Sequence, residues 1–105
     1  MGDSVIKKIV TIIKRSLRNT DVFARWGGEE FVILLPNTEV RHAGEMAERM
    51  RLCILNDLIE TDMIISCSFG IAILNEGDTA QSLLNRADGL LLQAKASGKN
   101  RVVIQ

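Results

Sequence analysis

Gly27-Gly28 stands between two short β-prone runs, residues 21–26 and 30–35, and this pairing most constrains what the chain can fold into. Tight hairpin turns need positive φ, which glycine reaches without a Cβ penalty, so the pair predicts an antiparallel hairpin ended by Pro36-Asn37. On either side of it the apolar period changes from two to 3.6. Over residues 3–17, Val5, Ile6, Ile9, Val10, Ile12, Ile13 and Leu17 recur at helical spacing. Asp3 or Ser4 is placed to cap this helix, and Lys14, Arg15 and Arg18 suit its negative end. A second helix is expected from Thr38 to about Asn56 on the stripe Ala43, Met46, Ala47, Met50, Cys53 and Ile54. A third is expected from Thr79, as cap, to near Ser97 on Leu83, Leu84, Ala87, Leu90, Leu91 and Ala94, with Gly98 terminating it. Residues 63–74 alternate Ile65, Cys67, Phe69, Ile71 and Ile73 with smaller or polar residues, the period of a strand with one buried face. Residues 102–104 make a last short strand. The order α-β-β-α-β-α-β describes an α+β fold with helices covering the sheet on one side, a single domain over residues 1–105.

Charge and cysteine content narrow the function classes. Thirteen basic residues balance thirteen acidic ones, which disfavours a nucleic-acid binder but leaves room for a local cationic patch aimed at a small phosphorylated ligand. Cys53 and Cys67 lack metal-ligand spacing and read as buried residues of a reduced protein. No apolar run approaches the roughly 20 residues needed to span a bilayer, and no signal-peptide pattern follows Met1, so a cytoplasmic location with no membrane partner is expected. His42 reads as solvent-facing, Asp57, Glu60 and Asp62 as a solvated loop, and Trp26 as packed over the hairpin.

The chemistry concentrates at the hairpin. Glycines let a phosphate approach the backbone, and Glu29 and Glu30 are hard oxygen donors suited to Mg²⁺ or Mn²⁺. An ordinary exposed hairpin has the same composition, and from these residues alone both readings stand. The wider pattern adds to them. Gly2-Asp3 resembles the end of a GHxxGD stretch, and Arg18-Asn19-Thr20-Asp21 an RxxD motif. Gly27-Gly28-Glu29-Glu30-Phe31 is a GGEEF signature, and residues 66–72, Ser-Cys-Ser-Phe-Gly-Ile-Ala, resemble a strand ending in S-x-G-x-A. Arg86-Ala87-Asp88 and residues 94–101, Ala-Lys-Ala-Ser-Gly-Lys-Asn-Arg, resemble a closing helix with its AKxxGxN tail. Together, in this order, they resemble the GGDEF (diguanylate cyclase) family over essentially the whole chain.

The resemblance implies a palm-like sheet related to the ferredoxin-like βαββαβ plan. It also implies condensation of two GTP into cyclic di-GMP, each GTP held by one subunit of an antiparallel dimer. Carried over residue by residue, Gly27 and Gly28 lie against ribose and phosphates. Glu29 binds Mg²⁺ or Mn²⁺ and helps deprotonate the attacking hydroxyl, and Glu30 assists. Lys95 and Lys99, the latter where the family usually has arginine, hold the terminal phosphates, and Asp3 reads the guanine edge. Arg18 and Asp21, helped by Arg49, match an inhibitory site for cyclic di-GMP. Arginine suits such a site because its planar fork bonds phosphate or guanine and stacks on a base.

The family pattern also includes an earlier strand with further metal and guanine ligands, then a helix, neither of which this chain contains. The expectation is therefore a truncated domain, inactive or nearly so as a cyclase by itself. Its remaining strands are expected either to close up into an altered sheet or to pair with a second chain as a homodimer or strand-mediated oligomer. Two further readings are a non-catalytic cyclic di-GMP-binding module acting through the RxxD site and a dimerising fragment without ligand. Leu90-Leu91-Leu92, where the family usually reads A-L-Y, and Gly89 inside the helix hint at altered packing.

Overall fold

A computed structural model of the chain describes residues 3–27, 30–60 and 63–105. The elements run α1 (Asp3–Ser16), β1 (Val22–Gly27), β2 (Glu30–Leu34), α2 (Val40–Asp57), β3 (Ile59–Glu60), β4 (Met63–Ile64), β5 (Phe69–Ile71), α3 (Ala80–Ala96) and β6 (Val102–Ile104). The α+β class holds. Each helix lies where the apolar period placed it, because a helical stripe is a local property of the chain.

The core joins α1 to α2. Ile9, Ile12 and Ile13 from the first helix bury against Met50, Ile54 and Leu58 from the second, with Ile65 completing the cluster. Phe23 and Ile33, directly opposite each other on the hairpin, pack against this cluster together with Phe69. Cys53 and Cys67 also pack there as free thiols, half-buried where the sequence reading had them buried. Fully burying each large aliphatic side chain stabilises by about 1.5–3 kcal/mol, so this one cluster fixes the angle between hairpin and helices.

The predicted strand over residues 63–74 is broken. β4 pairs with β3 as a small antiparallel hairpin, with Ile59 opposite Ile64 and Glu60 opposite Met63. Chain 65–68 then runs without ladder bonds to β5. The segment read as a solvated loop around Glu60 is therefore partly strand; Asp62 lies outside the described residues.

Helices flank both faces of the β5–β6 pair, not one. Phe69 points to the α1–α2 core, and Ile104 on the same face reaches Gly44 of α2. Gly70, one residue on, faces the other way and lies directly against the α3 backbone at Ala87, Leu90 and Leu91. α3 starts on a capping box: the Thr79 hydroxyl accepts from the Ser82 amide at 3.1 Å, and Ser82 Oγ accepts from the Thr79 amide at 2.9 Å.

Nor do the strands close into one sheet. β1–β2 is an antiparallel pair and β5–β6 a parallel pair, and no ladder joins them among the described residues. Among the described residues, the hairpin and the β5–β6 pair therefore each keep strand edges without a ladder partner.

Candidate functional site

The β1–β2 ladder pairs Val22 with Leu34, Phe23 with Ile33, Ala24 with Val32 and Arg25 with Phe31, and then slips to pair Gly27 with Glu30. Gly27 is thus still in the strand, one residue beyond the turn position read from the glycine pair. Gly28 and Glu29 lie outside the described residues, as does the side chain of Asp3. The slip leaves Trp26 as the extra residue of a bulge. Instead of packing over the hairpin, Trp26 is 62% exposed. Phe23 and Phe31, diagonal neighbours across the ladder, stack with ring centroids 5.3 Å apart and stiffen the base of the loop.

At the tip, Glu30 is exposed, and its carboxylate has no hydrogen bond or ion pair among the described residues. Such a carboxylate beside a glycine is chemically fit to take a hard cation, since no partner among the described residues competes for its oxygens. Among the described residues no three acidic, histidine or cysteine side chains cluster as a ready-made metal cage. Glu30 is thus a lone described carboxylate at this end of the hairpin, with Glu29 as its neighbour in sequence.

Arg18 and Asp21 form the best-defined polar centre. They sit in the turn between α1 and β1, which is closed by the Asp21 amide donating to the Arg18 carbonyl at 3.0 Å. The Arg18 amide returns a bond to Asp21 Oδ2 at 2.8 Å. The guanidinium reaches the same carboxylate through Nη2 at 3.0 Å and Nε at 3.3 Å. The Arg18 side-chain bond, and then its backbone amide, hold the Asp21 carboxyl below the usual carboxylate range. Asp21's side chain is wholly covered, whereas Arg18's remains 49% exposed. In this geometry the aspartate holds the arginine, and the arginine faces outward.

Two residues unforeseen in the sequence complete this centre. Arg18 Nη2 also donates to the Pro36 carbonyl at 2.9 Å and to Thr38 Oγ1 at 2.6 Å. Asn37 between them is left-handed at φ 51°, which turns both acceptors toward Arg18. Thr38 had been read as the first residue of the second helix. Its hydroxyl is committed here, and α2 begins at Val40 with Glu39 as an N-cap that makes no side-chain bond. Asparagine after proline was the one available signal for the turn.

Arg49 joins this centre neither by hydrogen bond nor by ion pair among the described residues. It lies nine residues into α2, at an open apolar depression with Arg41, Glu45, Leu52 and Ile104. At a 1.5 Å rise per residue this is roughly 13 Å along the helix from its start.

Lys95 occupies the last turn of α3. Gly98, Lys99 and Asn100 then follow one another at φ 127°, 60° and 49°. Gly98 ends the helix as expected, and the Lys99 amide donates to the Ala94 carbonyl at 2.9 Å. Both lysine side chains are exposed and without ion pairs among the described residues, so their charges are available. The turn itself is anchored. Asn100 accepts from Arg51 Nη1 at 2.9 Å through Oδ1, and its amide donates to Ser68 Oγ at 3.0 Å. Arg51 is held in turn by Glu48. Nothing in the sequence joined Arg51 or Ser68, the first residue of the S-x-G-x-A string, to Asn100, because they lie 49 and 32 residues from it.

A second anchor closes the far end of the domain. Arg86 on α3 donates to both carboxylate oxygens of Asp78, at 3.0 and 2.6 Å, and to the Ile73 carbonyl. Its Nε donates to Gln105 Oε1 at 2.9 Å, an oxygen that also accepts from the Ile73 amide. The Arg86 bonds, with those from the Asn75 amide and Ser82, hold the Asp78 carboxyl well below the usual carboxylate range.

Comparison with known proteins agrees with the motif pattern. The sequence profile of the diguanylate cyclase, GGDEF domain family matches residues 1–101. The chain belongs to the GGDEF family. It is 37% identical over 107 residues to diguanylate cyclase A of Treponema denticola, covering 98% of this chain and 29% of that protein. It is similar in structure to the active GGEEF domain of a diguanylate cyclase from Vibrio cholerae, with a TM-score of 0.89 and 31% identity over 97% of this chain and 67% of the other. The coiled-coil and GGDEF domain of DgcB from Caulobacter crescentus, solved in complex with c-di-GMP, superposes with a TM-score of 0.92 at 26% identity, covering 98% of this chain and 57% of that one. The chain thus spans less than a third of the length of the curated relatives it matches. No helix among the described residues is long and apolar enough to cross a membrane.

Proposed function

We propose that this chain is part of a diguanylate cyclase of bacterial cyclic di-GMP signalling, in which two GTP molecules are condensed into cyclic di-GMP. The observation that carries the reading is the β1–β2 hairpin, packed on the α1–α2 core through Phe23 and Ile33 and bearing Glu30 without a carboxylate partner among the described residues, in a chain whose family match runs from residue 1 to 101. In the reaction the 3′-hydroxyl of each GTP attacks the α-phosphate of the other, so two phosphodiester bonds form and two pyrophosphates leave. Gly27 and Gly28 leave room for ribose and phosphates. Glu29 supplies the metal-ligating carboxylate and, with Glu30, accepts the hydroxyl proton. Lys95 and Lys99 neutralise the departing pyrophosphate, and Asp3 reads the guanine edge. A Mg²⁺ or Mn²⁺ ion, when bound, supplies charge neutralisation at the phosphoryl centre. A homodimer is required, because each subunit holds one of the two nucleotides.

Glu29 and Glu30 are the only metal-ligating carboxylates assigned, so turnover by the 105-residue chain itself is expected to be negligible. Incubating it with GTP and Mn²⁺ and separating the products by chromatography tests this. Robust cyclic di-GMP formation by the pure chain would show that these two carboxylates suffice. Formation by a longer protein containing it, lost on Glu29→Ala, would support the assignment.

A second reading, binding of cyclic di-GMP without turnover, is favoured by Arg18 itself, which is held rigidly on one side and open on the other. Calorimetric titration with cyclic di-GMP is expected to show heat that Arg18→Ala abolishes.

A further inference from the structure

The five N–H donors of Arg18 divide unequally. Nε points to Asp21, and the two hydrogens on Nη2 serve three acceptors: Asp21 Oδ1 at 3.0 Å, the Pro36 carbonyl at 2.9 Å and Thr38 Oγ1 at 2.6 Å. The two hydrogens on Nη1 have no partner among the described residues. Thr38 is itself oriented, because its hydroxyl donates to the Pro36 carbonyl at 3.0 Å, which turns an oxygen lone pair toward Arg18. The shortest of these contacts is the one from Arg18 to Thr38. Asp21 belongs to the same turn as Arg18, so the aspartate alone would let the pair swing together. Thr38 and Pro36 are 20 and 18 residues away and tie the guanidinium to the β2–α2 connection.

We propose that Thr38 is the positioning residue for Arg18. It halts the guanidinium with its Nε–Nη2 edge turned inward, and leaves the Nη1 hydrogens and the flat face for a ligand. This rests on the reading that Arg18 meets a cyclic dinucleotide. It adds that Arg18 does so end-on through Nη1 and by stacking, not through the two-pronged Nε–Nη2 fork, which Asp21 already occupies. Thr38 suits the task because its branched Cβ restricts χ1 and a hydroxyl can accept and donate at once. A side chain fixed before binding loses less rotamer freedom when the ligand arrives, which raises affinity without any contact from Thr38 to the ligand.

The test uses the 105-residue chain and three variants, Thr38→Val, Thr38→Ser and Arg18→Ala. By nitrogen-detected NMR without ligand, the wild type and Thr38→Ser are expected to show separate Arg18 Nη resonances, the sign of halted rotation about Nε–Cζ. Thr38→Val, nearly isosteric but without the acceptor, is expected to speed the exchange between them, because the Asp21 fork then opposes the rotation with one bond fewer beside it. In calorimetry with cyclic di-GMP, Thr38→Val is expected to weaken binding roughly tenfold, as loss of one charge-assisted hydrogen bond's worth of ordering implies. Thr38→Ser is expected to restore it to within about twofold. If Thr38→Val keeps both the wild-type exchange rate of the Nη resonances and the wild-type affinity, the positioning role is overturned. If the wild type gives no heat, or Arg18→Ala leaves the heat unchanged, it is the ligand reading that fails. The NMR comparison still decides whether Thr38 holds Arg18.

Discussion

Replacing Gly70 by alanine probes the contact that seats β5 on α3. A Cβ built there would lie 2.3 Å from the Leu91 nitrogen, 2.6 Å from the Ala87 carbonyl oxygen and 2.8 Å from the Leu90 carbonyl carbon, where ordinary contact begins at 3.4 Å. All three are helix backbone, so no rotamer change relieves the overlap. The helix must retreat by about 1 Å, loosening the dispersion contacts on both sides of the new methyl. Overpacking of a fitted interface costs typically ~1–3 kcal/mol, and because backbone must yield, Gly70→Ala belongs near the top, at about 3 kcal/mol. Gly70 is not among the glycines with left-handed φ, so the penalty is spatial and not conformational. Gly89, also on α3, is the matched control. An added Cβ there meets nothing within 4 Å, and alanine in place of a helical glycine should stabilise by about 0.5–1 kcal/mol. In urea unfolding followed by far-UV circular dichroism, Gly70→Ala should lower the midpoint strongly while Gly89→Ala raises it, both with unchanged m. For a domain of this size, about 3 kcal/mol corresponds to a melting temperature lower by roughly 10–20 °C. A Gly70→Ala protein with the wild-type midpoint would refute direct backbone packing of β5 on α3.

Further predictions follow from the anchors and the core. Asp21 and Asp78 carry carboxyl pKa values lowered in the folded state. Their contribution to stability is complete above the unfolded carboxylate pKa of about 3.9 and is lost as pH falls through the folded values. Thermal stability should therefore fall as pH is lowered below about 4, and Arg86→Gln should reduce part of that dependence; an unchanged acid limb in the variant would count against the Arg86–Asp78 anchor. Burial pushes the Cys67 thiol up to about 11. At pH near 8 its alkylation in the native protein, read from the Cys67 peptide by mass spectrometry, should be slower than in urea by on the order of 100-fold, and equal rates would contradict the burial. Asn37 is left-handed, so Asn37→Gly should cost little, whereas Asn37→Val should destabilise by about 1–2 kcal/mol. Calorimetric melting separates the two.

The legible parts of the fold are those set by neighbours in sequence. The stripes through Ile9 and Ile13, through Ala47, Met50 and Ile54, and through Leu84 and Ala94 each repeat within a turn or two, so three helices could be placed from spacing alone. Thr79 and Gly98 marked the two ends of α3 for the same reason. The strands were less legible. An alternating run such as residues 63–74 records which side chains prefer burial but not where a ladder partner lies, and the chain divides it between β4 and β5. Trp26 looked like a packing residue until the one-residue slip between Arg25 and Gly27 turned it outward.

The candidate site shows the same division. The Gly27–Phe31 signature and the Arg18–Asp21 spacing were evident in the sequence, because a motif is a local string. What those residues can do was decided by contacts 18 to 49 residues away. Pro36 and Thr38 hold Arg18, and Arg51 holds Asn100 beside the exposed Lys95 and Lys99. The sequence by itself determined the family, the helices and the identity of the hairpin's carboxylates. Only the tertiary structure decided that Asp21 is covered while Arg18 faces outward, that helices flank both faces of β5–β6, and that no ladder among the described residues joins the hairpin to β5–β6. The physical reason is that helical periodicity and short motifs are written in neighbouring residues, whereas strand partners and charge-assisted hydrogen bonds are chosen only when distant segments meet.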